Sequence, residues 1–162
     1  MDLPKRKQTR LKNYDYSQNG AYFVTICTAG RAKLFGDIVG ATLRGRPNRP
    51  DLIIDKYLHE LENKFKNVKL DYYVIMPDHI HFILFITGDH TGSPLPQMVD
   101  WFKTMSTNEY IRGVKSGLYT PFNKHIWQRS FFEHAIRNED DLYETRKYIE
   151  NNPLKWQIAK TE

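Results

Sequence analysis

The chain has 162 residues, 40% of them hydrophobic and 27% charged, with 24 Lys and Arg against 19 Asp and Glu and a formal net charge of +5. That length suits one domain with its own core, and no stretch approaches the 18 or so uncharged apolar residues of a membrane-spanning helix. The single cysteine, Cys27, excludes an intrachain disulfide framework.

The positive excess suits a polyanionic partner. Lys5, Arg6, Lys7, Arg10 and Lys12 crowd residues 1–19, a basic arm that ends in a turn at Ser17–Gly20. Such an arm either tracks nucleic-acid phosphates or is simply solvated charge. It contains no apolar run of the kind a secretory signal needs, so a cytoplasmic location is expected. Arg44, Arg46 and Arg49 form a second basic cluster among glycines and prolines.

Residues 22–28 are β-branched and aromatic and read as a strand, with Cys27 as a small buried member. A short strand is expected around Leu34 to Ile38, and residues 36–50 read as a loop. Helical spacing of Ile53, Tyr57, Leu58 and Leu61 predicts a helix over 51–66, with Asp51 as its cap. Strands are predicted at 69–76 and 79–87, joined by a tight turn at Pro77-Asp78. A second helix follows over 97–112, then an aromatic-rich strand from Trp127 to Ile136. Asn138 followed by Glu139, Asp140 and Asp141 signals a helix start. That helix is expected to run to about Asn151 and to be stopped by Pro153. Strand, helix, strand, strand, helix, strand is the ferredoxin-like βαββαβ order. The fold expected is α+β: an antiparallel sheet with helices on one face plus a C-terminal helix. The expected division is a basic arm, 1–19, and a single domain, 20–162.

The sharpest chemical feature is Met76-Pro-Asp-His-Ile-His81. Residues two apart on a strand share a face, so His79 and His81 lie side by side while Ile80, Phe82 and Leu84 enter the core. Adjacent imidazoles are costly in an apolar setting unless they share a metal ion, for which neutral imidazole is a common ligand. A phosphodiester can take the open positions of such an ion. Mg²⁺ or Mn²⁺ suits phosphate chemistry, and imidazole favours Mn²⁺ or Zn²⁺.

On the last helix Leu142 and Ile149 mark the buried stripe, and Tyr148 lies beside it. Asn152, one turn later, shares the Tyr148 flank, as do Thr145 and Asp141. The helix therefore presents a candidate nucleophile, Tyr148, and a candidate amide metal ligand, Asn152. An amphipathic helix with a half-buried tyrosine and a terminal asparagine gives the same spacing. A phenol ionises near pH 10, so such a nucleophile needs help. Tyr143 is a rival on a different helix face. Trp127, Phe131 and Phe132 are candidates for base stacking, though alternating strand aromatics also build cores. Arg129 and Arg137 are candidates for phosphate contact. Glu133 and His134 fall on opposite strand faces.

Taken together, the His79-Ile-His81 segment and the Tyr148-Ile-Glu-Asn-Asn152-Pro segment resemble the single-tyrosine HUH transposases of the IS200/IS605 type, and within them the REP-associated tyrosine transposases. Leu3–Lys7, Tyr22–Thr28, Val74–His81 and Trp127–Asn138 extend the match along nearly the whole chain. The resemblance implies that His79 and His81 hold a divalent metal, that Tyr148 is the nucleophile, and that Asn152 completes the metal site. In the family that last position is often glutamine, one methylene longer. It further implies cleavage of single-stranded DNA beside hairpins of repeated palindromes, through a 5′-phosphotyrosine intermediate, by a monomer or homodimer. A domesticated protein that binds nucleic acid without cleaving it is the alternative. Small-molecule phosphoesterases fit poorly: residue 83 is isoleucine where a histidine triad needs its third histidine, and no second His-x-Thr/Ser motif is present.

Overall fold

The computed structural model describes residues 20–36, 49–87 and 95–161, with side chains as far as residue 153. Within them lie β1 (Gly20–Cys27), α1 (Asp51–Lys64), β2 (Val68–Met76), β3 (His79–Ile86), α2 (Leu95–Lys115), β4 (Phe132–Ile136) and α3 (Glu139–Thr161), with a 3₁₀ turn at Ala29–Arg31. The basic arm, including Lys5, Arg6, Lys7 and Arg10, lies outside the described residues, as do Arg44 and Arg46.

The strands pair antiparallel in the order β2-β3-β1-β4. This is the ferredoxin-like arrangement expected from the element order. The two central strands bury both faces, which is why they are the most continuously apolar. On one face Tyr22, Val24 and Ile26 of β1 and Ile80, Phe82 and Leu84 of β3 pack against Leu58 and Leu61 of α1 and Met98 and Phe102 of α2. Fully burying each such side chain contributes on the order of 1.5–3 kcal/mol. On the other face Ala21, Phe23 and Ile83 lie under Ile149 of α3. The first two helices thus share one face, and α3 covers part of the other.

The β2–β3 turn is tied to the exit of β1. The Thr28 amide and hydroxyl donate to the Asp78 carbonyl at 2.9 and 3.0 Å, and the Phe35 amide donates to the Pro77 carbonyl at 3.2 Å. At the far edge, the Arg146 guanidinium forms a bidentate pair with Asp71 of β2, at 2.8 Å for each bond, and lies over the Tyr72 ring. This pair sets where α3 sits along the sheet.

Four local expectations need correction. The strand expected from Trp127 is only Phe132–Ile136; Trp127 makes an isolated bridge to Thr28. Helix α3 continues through Pro153 to Thr161, because a proline removes one N–H and crowds one carbonyl without making the following residues non-helical. Residues 32–36 form no strand, and Ile38 lies outside the described residues. Asp51 is the first residue of α1 and pairs with Arg49 at 2.7 Å instead of capping.

Asn138 does cap α3: its Oδ1 accepts from the Asp141 amide at 2.8 Å, and Asp141 accepts from the Arg137 amide at 3.0 Å. Asn138→Ala is expected to cost about 1 kcal/mol, read as a lower midpoint in urea unfolding. The core also carries an alkaline signature. Burial pushes the Tyr110 phenol up to about 12, and its hydroxyl donates to the Thr120 carbonyl at 2.8 Å. Its folded value lies above its unfolded value. That contribution is complete below about pH 10 and is lost as pH rises from there toward 12. Tyr110→Phe is expected to flatten the fall in unfolding free energy over that window.

Candidate active site

Strand register builds the site as a row of side chains. His81 of β3 faces Thr25 of β1, which faces Phe132 of β4. One row toward the β2–β3 turn, His79 faces Cys27; one row the other way, Ile83 faces Phe23, which faces His134. Opposed residues of antiparallel strands point to the same side. The histidine pair, Thr25, Phe23, Phe132 and His134 therefore share the face on which α3 lies. Glu133, opposite Val24, is on the other.

Each imidazole is fixed through Nδ1. His79 Nδ1 is 2.6 Å from Asp78 Oδ1, so the carboxylate accepts and Nδ1 carries the proton. His81 Nδ1 is 2.7 Å from the Thr25 hydroxyl oxygen. Both contacts engage Nδ1, so Nε2 is the candidate ligating nitrogen, the arrangement in which a second group orients a metal-binding imidazole. The rings are 4.7 Å apart at 72°. Burial holds His79 below the usual histidine range, against the opposing pull of Asp78. His81 is pushed down to about 3, chiefly by burial and then by the neighbouring His79 and Arg31. Both rings are thus kept neutral, the state that can coordinate.

Arg31 completes this corner. It follows Gly30 in a pair of left-handed residues, with φ of 56° and 62°, and that reversal returns its guanidinium to the end of β1. Nε donates to Asp78 Oδ2 at 3.1 Å and Nη1 to Cys27 Sγ at 2.8 Å, while Nη2 stands 3.5 Å from His79 Nδ1. Cys27 is half-buried at this edge and not a core residue as expected.

Helix α3 brings the remaining groups. The Tyr148 ring meets the His81 ring edge-on at 5.4 Å and the Phe23 ring at 5.9 Å, and 44% of the residue is exposed. Asn152 hydrogen-bonds the His79 side chain. The flank read from helical spacing therefore faces the histidine pair, with Thr145 buried beneath it. His134 Nε2 reaches Asp141 at 2.8 Å, tying β4 to the start of α3. Among the described residues no three His, Cys, Asp or Glu side chains converge as a metal-ligand group. Among the described residues, the side chain beside the two imidazoles with a further donor of another type is Asn152, through its amide.

The other sequence candidates scatter. Trp127 is 6% exposed, packed against Phe35 and Phe102, and its Nε1 donates to Ser106 at 3.0 Å. At that exposure the ring is not open for a base to stack on it; Phe131 is buried likewise. Phe132 is 49% exposed and stands on the histidine face. Arg137 is exposed beside the start of α3, and Arg129 is exposed on a polar groove with Lys103, Lys124 and Gln128. Tyr143 points away, with the Lys147 ammonium 4.8 Å over its ring. Asp78, Arg31 and Thr25 carry the support of the site, and none was assigned a role from sequence. The carboxylate next to His79 in Pro77-Asp-His was the one available signal.

Comparison with known proteins is consistent with this geometry. The profile of the family described as Transposase IS200 like matches residues 16–152. An uncharacterized protein of Haemophilus influenzae is 31% identical over 164 residues, covering 94% of this chain and 90% of that protein. A second Haemophilus influenzae protein, provisionally named a REP-associated tyrosine transposase, is 26% identical, covering 90% of this chain and 77% of its own length. The solved REP-associated tyrosine transposase bound to a REP hairpin matches with a TM-score of 0.64 at 21% identity, over 91% of this chain and 74% of that one. A Deinococcus radiodurans protein, provisionally described as a transposase, matches with a TM-score of 0.52 at 18% identity, over 89% and 97% of the two chains. At those identities the two structures speak for the fold. No helix of the described residues is long and apolar enough to cross a membrane. The family match over residues 16–152 spans β1 through Asn152 of α3, and the chain belongs to the IS200-like transposase family.

Proposed function

We propose that the protein is a metal-dependent single-stranded DNA endonuclease and strand transferase that cleaves beside DNA hairpins through a tyrosine. One observation carries the reading: two imidazoles fixed through Nδ1 stand beside a half-exposed tyrosine ring 5.4 Å from His81. The hairpin partner is supported by the relative solved with a REP hairpin. REP-like palindromes are accordingly the first DNA to test, with the protein as monomer or homodimer.

The donor set fits a divalent ion such as Mg²⁺ or Mn²⁺. His79 and His81 would offer Nε2 and Asn152 its amide oxygen, leaving positions for water and phosphate oxygens. When bound, that ion supplies Lewis-acid polarisation of the scissile phosphate. The chain's own residues do the rest. Asp78 and Thr25 hold the imidazole orientations, and Arg31 adds positive charge at the same corner. Tyr148 Oη attacks the phosphorus and releases its proton to solvent. The P–O3′ bond breaks, the departing O3′ takes up a proton, and a 5′-phosphotyrosine remains. A second 3′-hydroxyl reverses the step and restores the tyrosine, so strand transfer needs no external energy source. Arg137, Arg129 and the arm residues Lys5, Arg6, Lys7 and Arg10 are proposed phosphate contacts.

The test is incubation of the full chain with labelled hairpin-bearing single-stranded DNA and Mn²⁺ or Mg²⁺. An SDS-stable protein–DNA adduct is expected. Binding with no adduct, across hairpins from the gene's own flanks, would instead favour a non-cleaving binding protein. The support of the ligands is testable separately. Asp78→Ala keeps the turn, which is held through the Asp78 carbonyl, and removes the partner of His79 Nδ1. Mn²⁺ affinity measured by calorimetry should fall by roughly 10- to 100-fold; unchanged affinity would place His79 outside the metal site.

A further inference from the structure

The face that holds the histidine pair continues past it into an open cleft of about 520 Å³ between the sheet and α3. Its walls include Phe23, His81, Phe132 and Tyr148, with His134 and Glu144 among its polar groups. We propose that this cleft is a nucleobase subsite: it takes the base of a nucleotide flanking the scissile phosphate, stacked on Phe132. The inference rests on Tyr148 being the nucleophile and adds a substrate contact to that reading.

Three observations carry it. First, the rings are sorted by role. Phe23 is only 8% exposed and fully engaged, stacked on His81 at 5.4 Å and 23° and meeting Tyr148 and Phe132 edge-on at 5.9 and 6.3 Å. It is the floor. Phe132 and Tyr148 rise from that floor with much of their surface open to solvent. Second, the position is dictated by register. Phe132 is in the same sheet row as Thr25 and His81, so a phosphate held between His81 and Tyr148 would have Phe132 along the same row for a neighbouring nucleoside. Third, the chemistry matches. Every base has a flat π-face that stacks on an aromatic ring whatever the sequence. The polar edge of a stacked base would meet His134, whose Nε2 is fixed by Asp141, and Glu144. A protein segment in the same cleft would cover Tyr148, so it is not the occupant that the nucleophile requires.

The experiment uses the Tyr148→Phe full chain, which keeps the ring and removes the nucleophilic oxygen, so the DNA stays uncut. 2-Aminopurine is placed at each position in turn in the single strand beside the hairpin. One position should be quenched on binding, and adding Phe132→Ala should abolish that quenching while Phe132→Tyr retains it. An abasic nucleotide at that position should weaken binding on the order of ten- to a hundredfold. Quenching at no single position, or quenching unchanged by Phe132→Ala, overturns the subsite. The two readings fail differently. A wild-type adduct without position-specific quenching overturns the subsite alone; quenching without an adduct overturns the cleavage, and with it the placing of the stacked base beside a scissile phosphate.

Discussion

His81→Ala is expected to reduce adduct formation on hairpin DNA by at least about 10³-fold, equivalent to ~4 kcal/mol of barrier. On the proposed metal site, the substitution would remove one of the two Nε2 donors and leave His79 and the Asn152 amide to hold the ion. Chelation with EDTA should reach the same endpoint in the wild type. The loss should not be a folding effect. His81 is a neutral ring whose polar partner among the described residues is the Thr25 hydroxyl, and the core on the opposite sheet face, around Ile80 and Phe82, is untouched. Circular dichroism should therefore be unchanged. Single-turnover rates within tenfold of wild type would remove His81 from the chemistry.

Tyr148→Phe should leave no detectable adduct, because it removes only the hydroxyl proposed to form the phosphodiester. The ring keeps its edge contacts to His81 and Phe23. The hydroxyl is on a half-exposed residue, so stability should shift by no more than about 0.5 kcal/mol. Hairpin affinity, measured by anisotropy, should stay within about threefold. Tyr143→Phe is the matched control: that ring is 55% exposed and lies under the Lys147 ammonium, away from the histidines. It should form adduct at the wild-type rate.

The histidine pair and the flank of α3 were legible in the sequence because each depends on one local period, two for the strand and 3.6 for the helix. The ferredoxin-like order was legible for the same reason. What escaped depends on register or on a backbone reversal. Thr25 joins the site only because β1 is aligned with β3 so that Thr25 faces His81. Arg31 joins only because Gly30 and Arg31 both take positive φ and return the guanidinium to Asp78. Trp127 shows the converse failure: aromatic spacing near a strand does not say which residues are covered, and Trp127 proved buried. Pro153 was read as a stop, yet its missing N–H affects a single bond and α3 runs on.

The central claim is that Tyr148 becomes joined to DNA. The most direct measurement is protease digestion of the adduct formed by wild-type protein, followed by mass-spectrometric mapping of the residue that carries the nucleotide. The mapped phosphate is predicted on Tyr148, on the helical segment Glu139–Thr161. A nucleotide mapped to Tyr143, or to any residue away from the His79–His81 face, would contradict it.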